Sequence, residues 1–354
     1  MRARWAVVGA AVLVPLSLLS LLFHSEPARF ALAAAAMIPL AGLLGDATEE
    51  LAIHAGPRVG GLLNATFGNA AELIVGVFLI ADNELEVVRA SITGSIIGNL
   101  LLVLGASFFA GGLRYRELKF SAAAAGTGIA SMALAVAGVL MPALYARTAH
   151  ATEFRIESVS VGVAVVLVVM YAASLVFGLV THRETAPTVA APEAERETAT
   201  MSVRGALGLL AVSGALVALE SEILTGALES TVRSLGLSRL WVGLIVVPIV
   251  ANAAEHSSAV RAAVRRKADL TVAIAVGSSA QVALVVTPLL VFAGLAFGHH
   301  LHLDFPAFDV SAIALSVVLV AFVAYDGSTN WLEGAQLMAV YAILAITSFY
   351  LGST

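Results

Sequence analysis

Long apolar stretches follow one another along almost the whole chain and are separated by short polar segments. Most of them contain about 20 residues, the length at which an α-helix crosses a bilayer core of about 30 Å. No small-x-small cleavage site follows the first stretch, so we interpret it as a helix rather than a signal peptide. The pattern predicts an all-α polytopic membrane protein with about 11 transmembrane helices, over residues 5–23, 29–54, 58–82, 88–111, 119–143, 158–180, 204–231, 237–261, 268–296, 308–325 and 331–351.

The composition agrees with a membrane protein and excludes several other classes. Of the 354 residues, 60% are hydrophobic and only 12% are charged, whereas soluble domains contain about 25% charged residues. The formal net charge of −5 argues against a nucleic-acid partner. Because the chain has no cysteine, disulfides and thiolate metal sites are excluded.

Lysine and arginine are distributed unevenly between the segments that connect the spans. Such residues accumulate on the cytoplasmic side of membrane proteins. If the N-terminus is cytoplasmic, 13 of the 19 basic residues fall in cytoplasmic segments and 6 in external ones. The cluster RAAVRRKAD at 261–269 is then an anchor on the cytoplasmic face. We therefore predict an integral protein of the bacterial inner (plasma) membrane with a cytoplasmic N-terminus.

One segment interrupts the apolar pattern near the middle of the chain. The sequence THRETAPTVAAPEAERETATMS, residues 181–202, is rich in Thr, Ala, Pro and Glu, a composition typical of a solvated linker. Its acidic residues leave calcium sensing open, although a passive tether is the simpler interpretation. We predict an acidic cytoplasmic linker at 181–203 that divides the chain into two halves.

The two halves carry the same polar tetrad. NAAE occurs at 69–72 and again at 252–255, 183 residues later. A second pair, Asn99 and Gln281, is separated by 182 residues. Because the two pairs have almost the same separation in sequence, they indicate an internal duplication. The tetrads lie an odd number of predicted spans apart, so the two copies cross the membrane in opposite directions. We predict an extra N-terminal helix at 1–28 and a five-plus-five inverted repeat, with one repeat at 29–180 and the other at 204–354.

The tetrads place amides and carboxylates where a lipid-facing helix has neither. Asn69 and Glu72 are three residues apart and share one helix face, as do Asn252 and Glu255. A carboxylate at the membrane centre costs about 2.5–3.5 kcal/mol on insertion scales, so such residues are functional candidates that face the protein interior. An inverted repeat places its substrate site near the bilayer midplane, between the two repeats.

Further oxygen ligands are predicted on the neighbouring spans, from Ser95, Asn99, Ser278 and Gln281. Carboxylate, amide and hydroxyl oxygens suit Ca²⁺, and less readily Mg²⁺ or Mn²⁺. Two buried carboxylates can be neutralised either by one dication or by two protons. If these states exclude each other, a divalent cation is exchanged for protons, and Glu72 and Glu255 are the predicted metal ligands.

Three further side chains are candidates for a proton relay or a gate: His256, Glu50 and Glu229. Histidine titrates near neutrality, but a residue next to Glu255 points about 100° away on a helix, and a packed histidine is the alternative. Glu50 and Glu229 lie on the spans that precede the tetrads, where they would line access paths. For Glu50 the alternative is a side chain at the end of its span that extends to the membrane surface. The predicted external loop HHLHLD, residues 299–304, contains metal-ligand residue types, but its irregular spacing favours a solvated loop.

At this point the sequence resembles a known family. GNAAEL and ANAAEH, the latter within GLIVVPIVANAAEH, resemble the paired motifs of the cation/proton exchangers, the Ca²⁺/H⁺ antiporters of the Ca²⁺/cation antiporter superfamily. The resemblance implies that Glu72 and Glu255 carry the ion and the protons, and that Asn69, Asn252, Asn99 and Gln281 supply supporting oxygens. It implies Ca²⁺ and protons as substrates, export of Ca²⁺ from the cytoplasm and no resident cofactor. Ala251 departs from the glycine that is usual in the family.

Two other classes of membrane protein, cation channels and intramembrane hydrolases, also contain buried polar residues. A cation channel also places carboxylates centrally, but around a symmetric pore rather than in an inverted repeat. An intramembrane hydrolase requires a motif such as HExxH, which no span contains, so we expect a transporter and not an enzyme. Na⁺/Ca²⁺ exchange and exchange of Mn²⁺ or Mg²⁺ stay open, and so does a homo-oligomeric state.

Overall fold

The computed structural model is almost entirely helical. It describes residues 2–23, 25–149, 151–178 and 199–351, and only the backbone of residues 2–4, 57, 58, 61, 62 and 65. The α-helices are α1 (Arg2–Ser20), α2 (Glu26–Phe67), α3 (Ala70–Ala81), α4 (Leu85–Ile97), α5 (Leu104–Tyr115), α6 (Ala122–Tyr145), α7 (Glu153–Val176), α8 (Val203–Leu235), α9 (Arg239–Trp241), α10 (Val247–Ala251), α11 (Ala253–Val264), α12 (Ala268–Gln281), α13 (Thr287–Phe297), α14 (Ala307–Val323) and α15 (Trp331–Leu351). The predicted linker at 181–203 lies outside the described residues as far as residue 198.

Seven of the described helices are long and apolar enough to cross a membrane, and an eighth span is formed if the broken pair α9–α10 and α11 counts as one. Three shorter apolar helices, Trp5–Ser20, Ala70–Ala81 and Ala307–Val323, fall on three other predicted spans. Many large apolar side chains of these helices are exposed, among them Phe154 (76%) and Phe322 (75%). Exposed apolar surface of this kind is typical of contact with a lipid bilayer, and the prediction of an integral, helical membrane protein is confirmed.

Local signals in the sequence explain where several helices begin. Ser121, Ser202 and Ser238 each precede a helix, and their side chains accept a hydrogen bond from the backbone N–H three residues later. A serine in this position satisfies one of the N–H groups that lack a partner within the helix. α2 bends at Gly56, whose φ of 76° and ψ of 173° are accessible mainly to glycine. The bend divides α2 into an apolar span, Glu26–Gly56, and a shorter segment that leads to the first tetrad.

In the described part of the chain, π-helical segments interrupt long helices at π1 (Gly98–Val103), π2 (Val242–Val246) and π3 (Val282–Val286). π2 and π3 each end two residues before a proline, Pro248 and Pro288. Proline has no N–H group and leaves the carbonyl four residues earlier without its helical partner. In the wider π turn each backbone N–H donates to the carbonyl five residues earlier rather than four. Thr287 N–H, for example, donates to Val282 O. Such bulges occur frequently at functional sites.

The helices form two compact units, and each unit contains parts of both halves of the sequence. The first unit consists of Met1–Ser91, Glu193–Ala254 and Ser348–Thr354, and the second of Ile92–Pro192 and Glu255–Thr347. In the first unit α2 packs along α8 and α1. Arg29 joins α1 to α2, because its guanidinium donates to the backbone oxygens of Ser20, Leu21 and Phe23 at 2.8–3.2 Å. Ser20 O also accepts from Phe23 N–H at 3.0 Å, so Arg29 shares that carbonyl and binds two more in the turn that follows α1.

The second unit is built around α12, which packs against α6 and π1, while α13 packs against α7. α5 and α15 approach each other at glycines. A Cβ atom on Gly112 would lie 2.3 Å from the backbone nitrogen of Trp331, and one on Gly334 would lie 2.3 Å from that of Phe109. The backbones therefore touch directly, as is common where helices pack within a membrane.

A short strand pair departs from the purely helical prediction. β1 (Leu118–Lys119) and β2 (Ser328–Thr329) pair antiparallel, with Leu118 opposite Thr329. The two strands belong to the connections α5–α6 and α14–α15, far apart in sequence. Their pairing depends on the packing of the second unit, and two-residue strands carry no recognisable pattern in a sequence.

Candidate ion-binding site

Both tetrads begin at a break in a helix. Asn69 separates α2 from α3 with φ −103° and ψ 27°, and Asn252 separates α10 from α11 with φ −97° and ψ 9°. These angles fall in the sparsely populated bridge region, where many active-site residues lie. The duplicated motif therefore has the same local backbone in both copies. In each copy the glutamate follows in the first turn of the next helix.

In the first unit, Asn69 and Asn252 are almost fully buried, with 3% and 2% of their surface exposed. α10 packs against α3, the helix that carries Glu72. The Asn252 side chain donates through Nδ2 to the carbonyl of Pro248 at 3.0 Å, and its backbone N–H donates to the same oxygen at 2.9 Å. Because its Nδ2 is used in this bond, the amide oxygen Oδ1 is the atom of Asn252 that can serve as a ligand.

In the second unit, three predicted site residues form one hydrogen-bonded chain. Asn99, in π1, donates through Nδ2 to the Ser278 hydroxyl at 3.1 Å. Ser278 in turn bonds the Glu255 carboxylate. A hydroxyl can accept one bond and donate another, so Ser278 links an amide to a carboxylate in a defined direction. Asn99 and Ser278 are buried, and among the described residues Glu255 Oε2 is shielded from solvent without a hydrogen-bond partner.

The other two predicted oxygen ligands also belong to the second unit. Ser95 is 3% exposed and lies on α4, one turn before Asn99. Gln281, at the end of α12, is 8% exposed. It lines a cavity of about 10 Å³ together with Ser131, Tyr171 and Ser174, which is about the volume that one water molecule needs. The structure therefore surrounds Gln281 with polar groups from α6 and α7 that the sequence did not indicate.

The three candidates for relay or gate lie in different surroundings. His256 is half-buried on α11. Glu50 is buried and accepts hydrogen bonds from Thr200, through both N–H and hydroxyl, and from Met201 N–H at 3.2 Å. It thus fixes the backbone that leads into α8. Glu229 is exposed and pairs with Arg233 at 2.9 Å.

A buried glutamate outside the tetrads is held by the N-terminal helix. Glu220 on α8 has no exposed surface, and its Oε2 accepts a hydrogen bond from Ser17 of α1 at 2.6 Å. The two residues are 203 positions apart. The sequence places Glu220 within an apolar span, which marks it as unusual, but only the packing of α1 against α8 identifies its partner.

We expect replacement of Ser278 by alanine to weaken Ca²⁺ binding, because Glu255 loses the donor that orients it. A hydrogen bond to a charged group contributes about 1.5–3 kcal/mol, so half-saturation should require about 10-fold more Ca²⁺ or above. Ser316→Ala is the control, because in the described part of the chain this buried hydroxyl bonds to Ala312 O of its own helix at 2.7 Å. Transport measured against Ca²⁺ concentration tests this, and equal half-saturation in the two variants would contradict the role of Ser278.

Helices that break within a membrane occur where the freed backbone groups line a cavity or a binding site. This chain has such breaks at two buried asparagines, each followed by a glutamate in the next helix. The model of the family described as sodium/calcium exchanger protein matches residues 26–180 and 205–350. The chain therefore belongs to this family, and the resemblance carried by the paired motifs is confirmed.

Individual relatives agree with the family match over nearly the full chain. The chain is 41% identical to a Ca²⁺/H⁺ antiporter of Aphanothece halophytica, across 97% of this chain and 95% of the relative. It is 44% identical to a Ca²⁺/H⁺ antiporter of Synechocystis, across 92% and 91%. The solved structure of native YfkE is similar with a TM-score of 0.86 and 36% identity, across 98% of this chain and all of YfkE.

Proposed function

We propose that this protein is a secondary active transporter that exchanges Ca²⁺ for protons and exports Ca²⁺ from the cytoplasm by alternating access. The observation that carries the proposal is the hydrogen-bonded chain Asn99–Ser278–Glu255. It presents a shielded carboxylate together with neutral oxygen donors and without sulfur, a ligand set for a hard divalent cation. Relatives that are named Ca²⁺/H⁺ antiporters, at 41% and 44% identity, support the same function.

The coupling follows from the charges of the proposed ligands. Glu72 and Glu255 supply two negative charges, whereas Asn69, Asn252, Asn99 and Gln281 are neutral. One Ca²⁺ or two protons neutralise this set, and binding both would leave uncompensated positive charge in a medium of low dielectric. Ca²⁺ binding therefore releases protons, and protons displace Ca²⁺. An external side more acidic than the cytoplasm then drives protons inward and Ca²⁺ outward.

The order of the elements supports the proposed duplication. In the first half an apolar helix, a helix broken at Asn69, a helix that contains π1 and two further helices follow one another. In the second half the same order recurs, with the break at Asn252 and the bulge π3. We infer from this order a helix α1 outside a five-plus-five inverted repeat with eleven spans. We also propose the cytoplasmic N-terminus, the bacterial inner membrane and the cytoplasmic linker predicted above.

The remaining assignments concern proton transfer and gating. We propose that Glu50 acts as a gate through its bonds to Thr200, because these bonds connect the end of the linker to α2 and α8. His256 and Glu229 are proposed as relay or gating residues on their sequence positions, since His256 adjoins Glu255 and Glu229 lies near the end of α8.

The experiment that tests the function is Ca²⁺ uptake into everted vesicles that contain the purified protein. The vesicle lumen is made acidic in the absence of Na⁺. In the control, an ionophore collapses the pH gradient before Ca²⁺ is added. We expect uptake that depends on the pH gradient and is accompanied by alkalinisation of the lumen. Uptake that persists without the gradient or that requires Na⁺ would contradict Ca²⁺/H⁺ exchange.

A second function is favoured by one observation, the description of the matching family as sodium/calcium exchanger protein. In this alternative the same carboxylates bind Na⁺ in place of protons. The two are distinguished by replacing the pH gradient with an inward-directed or outward-directed Na⁺ gradient at constant pH. We expect no Ca²⁺ movement under that condition, and Ca²⁺ movement would assign the protein to Na⁺-coupled exchange.

A further inference from the structure

Two histidines and a glutamate of the second unit lie close together. A ligand atom from each of Glu157, His300 and His302 lies within 4.8 Å of the other two. His300 Nδ1 is 2.9 Å from Glu157 Oε1. Glu157 lies in the second turn of α7, whereas the histidines lie in the connection between α13 and α14.

The connection is held against α7 by its backbone. Leu303 N–H donates to the Ser160 hydroxyl at 2.9 Å, and Ser160 is 1% exposed. Ser160 follows Glu157 by three residues and therefore shares its helix face. This hydrogen bond fixes the position of the connection along the axis of α7 and places the two histidines beside Glu157.

Burial alternates along the connection. Leu301, Leu303 and Phe305 are at most 2% exposed. His300, which precedes Leu301, and His302, which follows it, are more exposed. The alternation indicates that both imidazoles lie on the side of the connection opposite to the three apolar residues. The spacing His-x-His is therefore a regular one in the folded chain.

We propose that Glu157, His300 and His302 form a binding site for Zn²⁺ or a similar transition-metal dication. Two imidazoles and a carboxylate are a donor set that suits zinc, with a fourth position left for water. Ligands at about 2.0–2.1 Å in a tetrahedral site are about 3.4 Å apart, so side-chain movements of about 1 Å complete the geometry. Zinc bound there would join α7 to the α13–α14 connection.

A second observation points to a ligand. Within the described residues, His302 Nε2 is shielded from solvent and has no hydrogen-bond partner. Buried polar atoms normally have a partner, and coordination or a bond through metal-bound water would supply one. His300 remains 43% exposed, which leaves an approach for the ion from solution.

The test is a Zn²⁺ titration of the purified full chain by calorimetry, with excess Ca²⁺ present to occupy the proposed transport site. We expect one Zn²⁺ per chain. His302→Ala and Glu157→Gln should each weaken binding about 100-fold or more, since loss of a residue that merely orients a ligand already costs about 10–100-fold. His299→Ala is the matched control and should bind as wild type, because this histidine lies outside the three-residue group.

A measurement on the unmodified protein keeps the test decisive if a variant fails to fold. X-ray absorption of the zinc-loaded wild type should show two imidazole nitrogens and a carboxylate oxygen at one zinc. An all-oxygen shell, no saturable binding, or equal affinity of wild type and His302→Ala would each overturn the proposal.

Discussion

Replacement of Glu255 by glutamine should reduce Ca²⁺ transport to background, and Glu72→Gln should do the same. Either substitution preserves shape but removes one of the two charges proposed to neutralise Ca²⁺. Loss of one partner from a buried ion pair, here the carboxylate opposite Ca²⁺, costs about 3–5 kcal/mol, which corresponds to about 100- to 4,000-fold weaker binding. Initial rates of Ca²⁺ uptake in everted vesicles, normalised to the amount of inserted protein, measure the effect.

The control for these substitutions is Glu86→Gln. Glu86 also lies at the start of a helix, α4, but its side chain is exposed, so its charge is already solvated. We expect normal transport in this variant. Substantial uptake by either Glu72→Gln or Glu255→Gln would remove that carboxylate from the transport site and would leave its motif with a structural role only.

The second large effect concerns stability. Gly112→Ala places a methyl group 2.3 Å from the Trp331 nitrogen, and Gly334→Ala places one 2.3 Å from the Phe109 nitrogen. Since the obstacle in both cases is backbone rather than a flexible side chain, α5 and α15 must separate. Overpacking of this kind costs about 1–3 kcal/mol, and a lower temperature of thermal unfolding in detergent should report it.

Gly126→Ala is the matched control on α6, because among the described residues no atom beyond the adjacent backbone of its own helix lies within 4 Å of the new methyl group. Alanine is the better helix former by about 1 kcal/mol, so this variant should be as stable as wild type or more stable. Equal unfolding temperatures for Gly112→Ala and Gly126→Ala would show that α5 and α15 are not in direct backbone contact.

Much of the helical architecture could be predicted because membrane insertion imposes a simple rule. Backbone polar groups in lipid must be paired within the segment, so an apolar stretch of sufficient length forms a helix. The predicted spans 268–296 and 331–351 correspond to α12–π3–α13 and to α15 with small shifts at the ends. Helices also occupy most of residues 58–82 and 237–261, but the sequence did not predict their breaks at Asn69 and Asn252. A break depends on local angles that hydropathy does not encode.

Part of the candidate site could also be predicted. A single carboxylate or amide in an apolar span is unusual enough to predict a functional residue. For Glu72 and Glu255, and for Asn69 and Asn252, the duplication of the motif strengthens that prediction. The partners of these residues were not accessible in this way. The sequence predicted Ser278 as an oxygen ligand, but it did not predict that the Ser278 hydroxyl lies between Asn99 and Glu255.

The sequence by itself determined a helical membrane protein with a duplicated Asn–Glu motif, because hydropathy and composition act over stretches of continuous chain. Only the tertiary structure decided which distant residues meet. Ser17 contacts Glu220 across 203 residues, and Leu303 binds Ser160 across 143. The grouping of Glu157 with His300 and His302 arises in the same way. Such contacts depend on how helices pack against one another, and packing is a property of surfaces rather than of any single segment.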